Sequence, residues 1–282
     1  TKRYGLITAV SNLSFDVEEG EILGFLGLNG AGKTTSIRIL LDLLRPTSGQ
    51  ASIFGHDCQR DGLAARAKVG YLPAELGLYG DMTGRDTLRL FARLNGGAVN
   101  ARYLGELQER LQLPDSDLRR RIREYSSGMK RKLGILQALQ ADPPLLIMDE
   151  PTEGLDPLMQ DSFYDLLHSL QQRGRTIFFS SHVLSEVERV CQRVALMRKG
   201  ELVLLASVEE TRRLAPRDVR VTFRSDVRAP AGRTGQLTTQ FCGRQVVGDA
   251  EPQAPGPWDV GIQRRQQAAR LASWIHGQQL QR

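Results

Sequence analysis

One glycine-rich stretch carries the residue types that are needed to hold a polyphosphate. Residues 27–34, GLNGAGKT, fit the pattern G-x-x-x-x-G-K-[ST] at every required position. In such a loop, backbone N–H groups turn toward phosphate oxygens, and the helix that follows adds partial positive charge. Lys33 supplies a full charge for the β- and γ-phosphates, and the Thr34 hydroxyl is placed to ligate Mg²⁺. We predict that a nucleoside triphosphate contacts Gly27, Leu28, Asn29, Gly30, Ala31, Gly32, Lys33, Thr34 and Thr35.

The elements around this loop support the interpretation. A buried strand over residues 21–26 is predicted to run into the loop, and a helix that begins near Lys33 is predicted to leave it. We expect Gly27, Gly30 and Gly32 to adopt backbone angles that are closed to other residues. The alternative is a glycine-rich turn that fits the pattern by chance, and the strand-loop-helix context argues against it.

A second stretch places two carboxylates at the end of an apolar run. Residues 145–148, LLIM, have the composition of a fully buried parallel strand. Asp149 follows at the carboxyl end of that strand, where open α/β sheets bind ligands, and we expect it to bind Mg²⁺. Glu150 comes next and is predicted to act as general base on the attacking water. A lone glutamate would otherwise be a solvated loop residue. The two stretches together predict hydrolysis of a nucleoside triphosphate.

Five motifs resemble those of the ATP-binding cassette (ABC) ATPases. Residues 149–157, DEPTEGLDP, resemble the Walker B motif and the D-loop, and residues 125–133, YSSGMKRKL, resemble the signature usually written LSGGQ. Residues 180–182, SSH, resemble the segment that carries the switch histidine, and Tyr4 resembles the aromatic residue that stacks on adenine. The resemblance covers residues 1 to about 210, in the family's order and spacing. The signature is its most specific part, because other P-loop enzymes lack it.

The resemblance implies a dimer with ATP at its interface. In the family, the N-terminus of the signature helix faces the γ-phosphate that is held by the opposite subunit. The nucleotide contacts that the resemblance adds are Tyr4, Ser126, Ser127, Gly128 and Asp156. His182 is implied to contact the γ-phosphate and to help position water. Without these motifs, residues 126–128 would be a polar helix cap, and a lone histidine would be a structural residue.

The predicted fold is α/β, a P-loop NTPase core of the ABC ATPase type. Residues 1–210 are the predicted ABC ATPase domain, in which residues from about 73 to 140 form a helical signature subdomain. Leucines and a phenylalanine at helical spacing are its expected core: Leu88, Leu90, Phe91, Leu94, Leu104, Leu107 and Leu111. Residues 211–282 are a small C-terminal appendage with an alternating strand pattern at 219–223, turn-rich stretches, and an apolar helix face with Leu271, Trp274 and Ile275. A regulatory or dimer-supporting domain, a partly disordered tail and an altered reading of what was once a domain all remain open.

The segment after residue 72 departs from the family pattern. The family places a glutamine directly after the sequence GYLP, whereas here Pro73 is followed by Ala74 and Glu75. Alanine cannot reach Mg²⁺ or water, and Glu75 is the candidate to substitute for the glutamine. A catalytically silent cassette that acts as a regulatory module is therefore one alternative. The intact Lys33, Asp149, Glu150 and His182 argue against it.

Residues 70–79, followed by Met82 and Thr83, are typical of the daunorubicin-resistance-like branch of bacterial drug and antibiotic exporters. This resemblance implies a peripheral subunit at the cytoplasmic face of the cell membrane, which binds and hydrolyses ATP and pairs with a second copy and with a separate membrane permease. The candidate permease contacts are Glu75, Leu78, Tyr79 and Met82. The rival from another class is a non-transport ABC ATPase that acts on ribosomes or DNA. Such proteins usually carry two cassettes or a long coiled-coil insertion, and neither is present.

Composition agrees with this interpretation. The chain has 282 residues, a net charge of +6 and three cysteines without metal or disulfide spacing, which suits a reducing cytosol. No stretch approaches the roughly 18 to 20 apolar residues of a membrane span. The basic runs at 119–121 and 130–132 could face phosphates or anionic lipid, but solvated helix faces are commoner, and we predict no nucleic-acid partner. Because Thr1 lies inside the expected first strand, we expect further residues before it.

Overall fold

Strands and helices alternate along the part of the chain that the computed structural model describes, residues 1–97 and 99–214. The strands are β1 (Lys2–Tyr4), β2 (Ile7–Val10), β3 (Ile22–Gly27), β4 (Ser52–Ile53), β5 (His56–Asp57), β6 (Val69–Leu72), β7 (Leu145–Asp149), β8 (Thr176–Ser181), β9 (Arg193–Arg198) and β10 (Glu201–Ser207). The helices are α1 (Lys33–Leu40), α2 (Gly62–Arg66), α3 (Gly84–Leu94), α4 (Ala101–Arg110), α5 (Asp115–Leu118), α6 (Ser127–Leu139), α7 (Pro157–Gln172), α8 (Leu184–Val190) and α9 (Val208–Leu214). The prediction of an α/β fold is confirmed.

A six-stranded sheet in the order β10-β9-β3-β8-β7-β6 forms the centre of the fold. The strands from β9 to β6 are parallel to their neighbours, and β10 pairs antiparallel with β9 at the edge. Because parallel strands end at the same edge of a sheet, the residues that follow β3, β7 and β8 lie near one another. These are the phosphate-binding loop, Glu150 and His182.

Burial explains why the central strands carry uninterrupted apolar runs. Every residue of β3 and β8 is buried, as expected for parallel strands that are covered on both faces. Phe25 and Phe178 pack with ring centroids 5.0 Å apart, and Phe15 stacks on both rings. This packing fixes the strand ends that support the candidate site.

Helices fill most of the predicted signature subdomain. Their starts follow from capping side chains: Thr83 caps α3, Asn100 caps α4 and Ser126 caps α6, each by accepting a hydrogen bond from a backbone N–H. Among the expected core residues, Leu88, Leu107 and Leu111 are buried. The prediction was wrong for Leu94, which is 70% exposed because it lies in the last turn of α3.

Residues 1–213 belong to one compact unit. The predicted boundaries at about 73, 140 and 210 stay predictions, and the strand at 219–223 and the helix around Trp274 lie outside the described residues. Within the described ranges, none of the helices is both long and apolar enough to cross a membrane. Cys58 and Cys191 are buried free thiols, and Cys242 lies outside the described part of the chain.

Candidate active site

The glycines of the phosphate-binding loop fall into two kinds. Gly30 and Gly32 have φ angles of +79° and +103°, which other residues rarely adopt, so the prediction holds for both. The prediction of a backbone angle closed to other residues was wrong for Gly27, which ends β3 without a positive φ. A Cβ there would stand 2.7 Å from the carbonyl oxygen of Met197, so Gly27 is required by close packing between strands.

Helix α1 begins at Lys33, where the sequence predicted it, and its N-terminus is uncapped. Gly32 provides no capping side chain, and the first turn holds no acidic residue. The first N–H groups of a helix have no partner within it, so these groups are available to an external anion. Of the other predicted loop residues, Ala31 is buried, Asn29 is exposed, and Leu28, Thr34 and Thr35 are partly exposed.

Lys33, Glu150 and His182 form a chain of contacts. The Lys33 ammonium, which is 6% exposed, donates to the carbonyl of Gly27 at 2.6 Å and lies 3.2 Å from Glu150 Oε1. The second oxygen, Oε2, is 2.8 Å from His182 Nδ1. The sequence separates Glu150 from these partners by more than 30 residues, and the sheet brings all three together. Lysine, carboxylate and imidazole therefore face one point at the sheet edge.

Asp149 holds a separate position beside them. Its Oδ2 accepts a hydrogen bond from the Thr34 hydroxyl at 2.9 Å, and its Oδ1 accepts one from the Ser180 hydroxyl at 2.8 Å. Asp149 pairs with Ser180 in the register of β7 and β8, which fixes the carboxylate. Mg²⁺ takes oxygen ligands and keeps waters or substrate phosphates in its shell, so Thr34 and Asp149 are suitable partners. No cluster of three or more His, Cys, Asp or Glu side chains among the described residues would hold a metal by itself.

The backbone of Glu150 is in an uncommon conformation. Its φ angle is +49°, in the left-handed region that non-glycine residues seldom adopt. The N–H of Glu150 donates to the carbonyl of Ser180 at 3.1 Å, which anchors the residue directly after β7. Such strained residues cluster at functional sites, because the surrounding structure holds them in one direction. Here the conformation turns the carboxylate toward Lys33.

Sequence reasoning missed Glu186, on the first turn of α8. Its carboxylate accepts hydrogen bonds from the Thr152 hydroxyl at 2.8 Å and from the Ser181 hydroxyl at 2.6 Å. Thr152 lies two residues after Glu150, and Ser181 directly precedes His182. Glu186 therefore joins the two segments that carry the candidate base and the candidate histidine. No spacing in the sequence links Glu186 to Thr152.

The signature-like residues make their contacts elsewhere. The Ser126 hydroxyl accepts from the N–H of Met129 at 3.2 Å, so it caps α6. Ser126 and Ser127 are exposed, and within the described residues no hydrogen bond joins residues 126–128 to the phosphate-binding loop. A Cβ on Gly128 would stand 3.0 Å from the carbonyl of Gly154, so the start of α6 touches the loop after β7. The structure leaves this helix start open to solvent.

Three other candidates lie outside the chain of contacts. Tyr4 is 49% exposed, and the Lys2 ammonium lies over its ring, 5.0 Å from the centroid. Asp156 caps α7 by accepting from the N–H of Met159 at 3.0 Å. Glu75 is exposed, and the described residues offer its carboxylate no hydrogen-bond partner or ion pair. The side chain of Ala74 forms no polar contact, although its carbonyl does.

Comparison with known proteins identifies the family. The profile of the ABC transporter family matches residues 10–153. The bacitracin transport ATP-binding protein BcrA of Bacillus licheniformis is 41% identical over 204 residues, which are 72% of this chain and 66% of that protein. The chain belongs to the ABC transporter family. The daunorubicin resistance ATP-binding protein DrrA3 of Streptomyces coeruleorubidus is 38% identical over 211 residues, 74% of this chain and 66% of that protein. The chain thus spans just under two thirds of the length of these relatives.

Solved structures agree with the fold. The ATP-binding subunit of an ABC transporter has a TM-score of 0.70 and 31% identity, with 75% of this chain and 89% of that chain covered. A dimeric ATP-binding cassette bound to ADP and Pi has a TM-score of 0.66 and 23% identity, with 72% and 91% covered. The predicted ABC ATPase fold is therefore confirmed, and the resemblance to ABC transporter ATP-binding proteins is confirmed with it.

Proposed function

We propose that this chain is the subunit of an ABC exporter that binds and hydrolyses ATP with Mg²⁺, and that it works as a homodimer beside a separate membrane permease. One observation supports this most strongly. The ends of β3, β7 and β8 bring together an uncapped helix N-terminus, the Lys33 ammonium and the Glu150 carboxylate at the same sheet edge. An anion site next to a carboxylate base is the arrangement that hydrolysis of a phosphate anhydride requires.

Each residue has a chemical part in the proposed reaction. The N–H groups of the loop and the Lys33 ammonium bind the phosphates and offset their negative charge. Water attacks the γ-phosphorus as the bond between that phosphorus and the bridging oxygen of ADP breaks, and Glu150 takes a proton from the water. The products are ADP and inorganic phosphate. His182 contacts Glu150 and keeps the carboxylate directed at the site. Mg²⁺, held by Thr34 and Asp149, would supply charge compensation for the phosphates.

The dimer follows from where the signature-like residues lie. The start of α6 is capped by Ser126 and carries two exposed serines, and we propose this helix N-terminus as a second anion site on the surface. A second copy can place this site against ATP that is bound to the first copy. The dimeric arrangement of a structural relative supports this proposal. Since ATP contacts both copies only in the closed state, it stabilises that state, and hydrolysis weakens it.

The permease and the cargo class are proposed from the relatives. The names of the two relatives are those of a bacitracin transporter and a daunorubicin resistance protein, so an antibiotic-type compound is the proposed cargo. The chain would then lie at the cytoplasmic face of the membrane. Candidate permease contacts are the partly or fully exposed Glu75, Leu78, Tyr79 and Met82. An ABC ATPase acting on ribosomes or DNA is the alternative that the relatives favour less.

A substitution of Lys33 tests the ATP site. Lys33→Ala removes the ammonium that contacts Glu150. The dissociation constant for ATP with Mg²⁺ should rise about 10- to 100-fold, which is the worth of a charge-assisted contact. The exposed Lys68 provides a control, because Lys68→Ala removes the same charge away from the sheet edge. Isothermal titration calorimetry measures the dissociation constant for ATP of the parent protein, Lys33→Ala and Lys68→Ala. Equal affinity in the Lys33 variant would refute residues 27–34 as the phosphate site.

The same substitution tests transport. In cells that produce the protein, Lys33→Ala should raise the accumulation of daunorubicin and the sensitivity to bacitracin. If neither changes while ATP hydrolysis in vitro depends on Lys33, the chain is an ATPase with another cargo or another task. Co-purification with ribosomes in an ATP-dependent manner would favour the alternative.

A further inference from the structure

Arg131 is a buried cation on α6 that the phosphate chemistry does not use. The basic run at 130–132 suggested a solvated helix face, and for Arg131 this interpretation was wrong, because the residue is 5% exposed. All three of its nitrogens donate to backbone carbonyls. Nη1 donates to Pro73 at 3.0 Å, Nη2 to Ala74 at 2.8 Å, and Nε to Glu153 at 3.1 Å.

The acceptors belong to two loops that are far apart in sequence. Pro73 and Ala74 follow β6, in the segment that departs from the family pattern. Glu153 lies in the loop between Glu150 and α7, and its carboxylate is also 3.6 Å from Arg131 Nη2. One guanidinium therefore holds the loop at 73–75 and the loop at 151–156 at a fixed separation.

Helix α6 is pressed against both loops near Arg131. A Cβ on Gly134 would stand 2.7 Å from the side chain of Leu76, and a Cβ on Gly128 would stand 3.0 Å from the carbonyl of Gly154. A larger residue at Gly128 would require the backbone of the loop to shift by a few tenths of an ångström, whereas at Gly134 the Leu76 side chain would have to shift. The helix thus contacts one loop on each side of Arg131, and its N-terminus carries the signature-like serines.

The arginine side chain is suited to linking two loops by hydrogen bonds. Its planar guanidinium offers five N–H groups in a fixed fork and keeps its charge at any physiological pH, whereas the lysine ammonium is a single point of donation. Burial lowers the pKa of Arg131, although nearby carboxylates oppose that change. A buried charge without its partners is costly, so the carbonyls and the guanidinium keep one another in place.

We propose that Arg131 is a positioning residue that ties the loop at 73–75 to the loop at 151–156, so that both loops and the start of α6 move as one unit. The proposal rests on the proposed ATPase function for its consequence: a displacement of the first loop reaches Glu150 and the signature-like serines through this guanidinium. Ala74 takes part by its carbonyl, which an alanine provides as well as a glutamine does. The tie is a contact within one chain, and its three acceptors are backbone carbonyls.

Arg131→Met tests the tie, with Arg131→Lys and Lys132→Met as companions. Methionine keeps most of the side-chain volume and removes every donor. Lys132 is the neighbouring basic residue on α6, partly exposed, and hydrogen-bonds to neither loop within the described residues. Hydrogen exchange of the full chain, read on peptides over 73–79 and 151–156, measures whether the two loops loosen together. Steady-state hydrolysis and ATP titration are measured on the same preparations.

We expect Arg131→Met to raise exchange in both peptides, to lower kcat about 10- to 100-fold through misplaced groups, and to leave ATP affinity within about threefold. Exchange and kcat of Arg131→Lys should lie between those of Arg131→Met and the parent protein, and those of Lys132→Met should match the parent protein. Loosening of only one loop, of neither loop, or of both loops equally in Lys132→Met would overturn the proposal. If Arg131→Met does not fold, the same measurements of exchange, kcat and ATP affinity on Arg131→Lys test the proposal. A parent protein without Lys33-dependent hydrolysis would refute the ATPase function alone, since the exchange result does not depend on hydrolysis.

Discussion

Glu150→Gln is the substitution with the clearest expected effect on chemistry. The amide keeps the size of the side chain and can still hydrogen-bond with His182, whose Nδ1 lies 2.8 Å from Oε2 in the parent protein. It cannot take a proton from water. Positioned general bases contribute about 10²- to 10⁴-fold to a rate, so kcat should fall by that factor. This corresponds to about 2.7 to 5.4 kcal/mol in the activation free energy.

The same substitution should affect binding in the opposite direction. In the parent protein, Glu150 Oε1 is 3.2 Å from the Lys33 ammonium, so a phosphate that contacts Lys33 competes with Glu150. The net worth of one such hydrogen-bond-range contact is about 1 kcal/mol, which corresponds to about a fivefold change in a dissociation constant. Glu150→Gln removes the competitor, and ATP should bind about fivefold more tightly. The closed dimer should accumulate with unhydrolysed ATP.

The assay combines phosphate release at saturating ATP, ATP titration, and sedimentation with and without ATP. Glu109→Gln is the matched control, because Glu109 is exposed on α4 and its substitution makes the same chemical change away from the sheet edge. Turnover at the parent rate in the Glu150 variant would refute the reasoning. The base would then lie elsewhere, and His182 or Glu75 would be tested next.

The contact between Glu150 and His182 predicts that the losses of ATPase rate caused by substituting each residue are not additive. Residues that act as one unit lose most of their effect when either is removed. The double variant Glu150→Gln with His182→Ala should therefore hydrolyse ATP only slightly more slowly than Glu150→Gln alone. Losses that multiply would show that the two side chains act independently, in spite of their 2.8 Å contact.

Two other predictions concern the dimer and a buried thiol. Ser126→Arg should leave ATP binding to one copy nearly unchanged and abolish ATP-dependent dimerisation, because it places bulk and charge at an exposed helix start; an ATP-driven dimer in sedimentation would mean that Ser126 is only a cap. Burial, followed by the nearby Asp57 and Asp42 carboxylates, raises the pKa of the Cys58 thiol from 9.0 to about 11. The neutral thiol is thus favoured in the folded protein, and this stabilisation is complete below pH 9 and is lost as pH rises toward 11. At pH 8, site-resolved alkylation should label Cys58 at least about 100-fold more slowly than after unfolding; equal rates would contradict the burial.

The parts of the fold that the sequence predicted are those with local signals. The strand before the phosphate-binding loop, the start of α1 at Lys33 and the buried strand before Asp149 each have their pattern within ten residues. In addition, the carboxyl ends of parallel strands lie at the same edge of a sheet. For this reason the grouping of Lys33, Glu150 and His182 was predictable from three separate motifs, although their distances were not.

Contacts between distant polar residues were not predictable from the sequence. The bond from Arg131 to Pro73 spans 58 residues, and the bond from Thr152 to Glu186 spans 34 residues. The sequence around Arg131 is basic, which is typical of a solvated face, and only the tertiary structure shows the three carbonyls that compensate its charge. The reason for Gly27 was hidden in the same way, because its close neighbour is Met197 on another strand.

The contacts of Lys33 suggest how binding and catalysis are linked. Both oxygens of Glu150 are engaged, one by the Lys33 ammonium and the other by the His182 ring. A γ-phosphate attracts the ammonium more strongly than one carboxylate does, because it carries more charge. As the phosphate takes over Lys33, Oε1 loses its partner and becomes an acceptor beside the phosphorus to be attacked, while His182 still holds Oε2. In the proposed mechanism the nucleotide itself therefore frees the base, and Glu150 becomes available when there is a phosphate to hydrolyse.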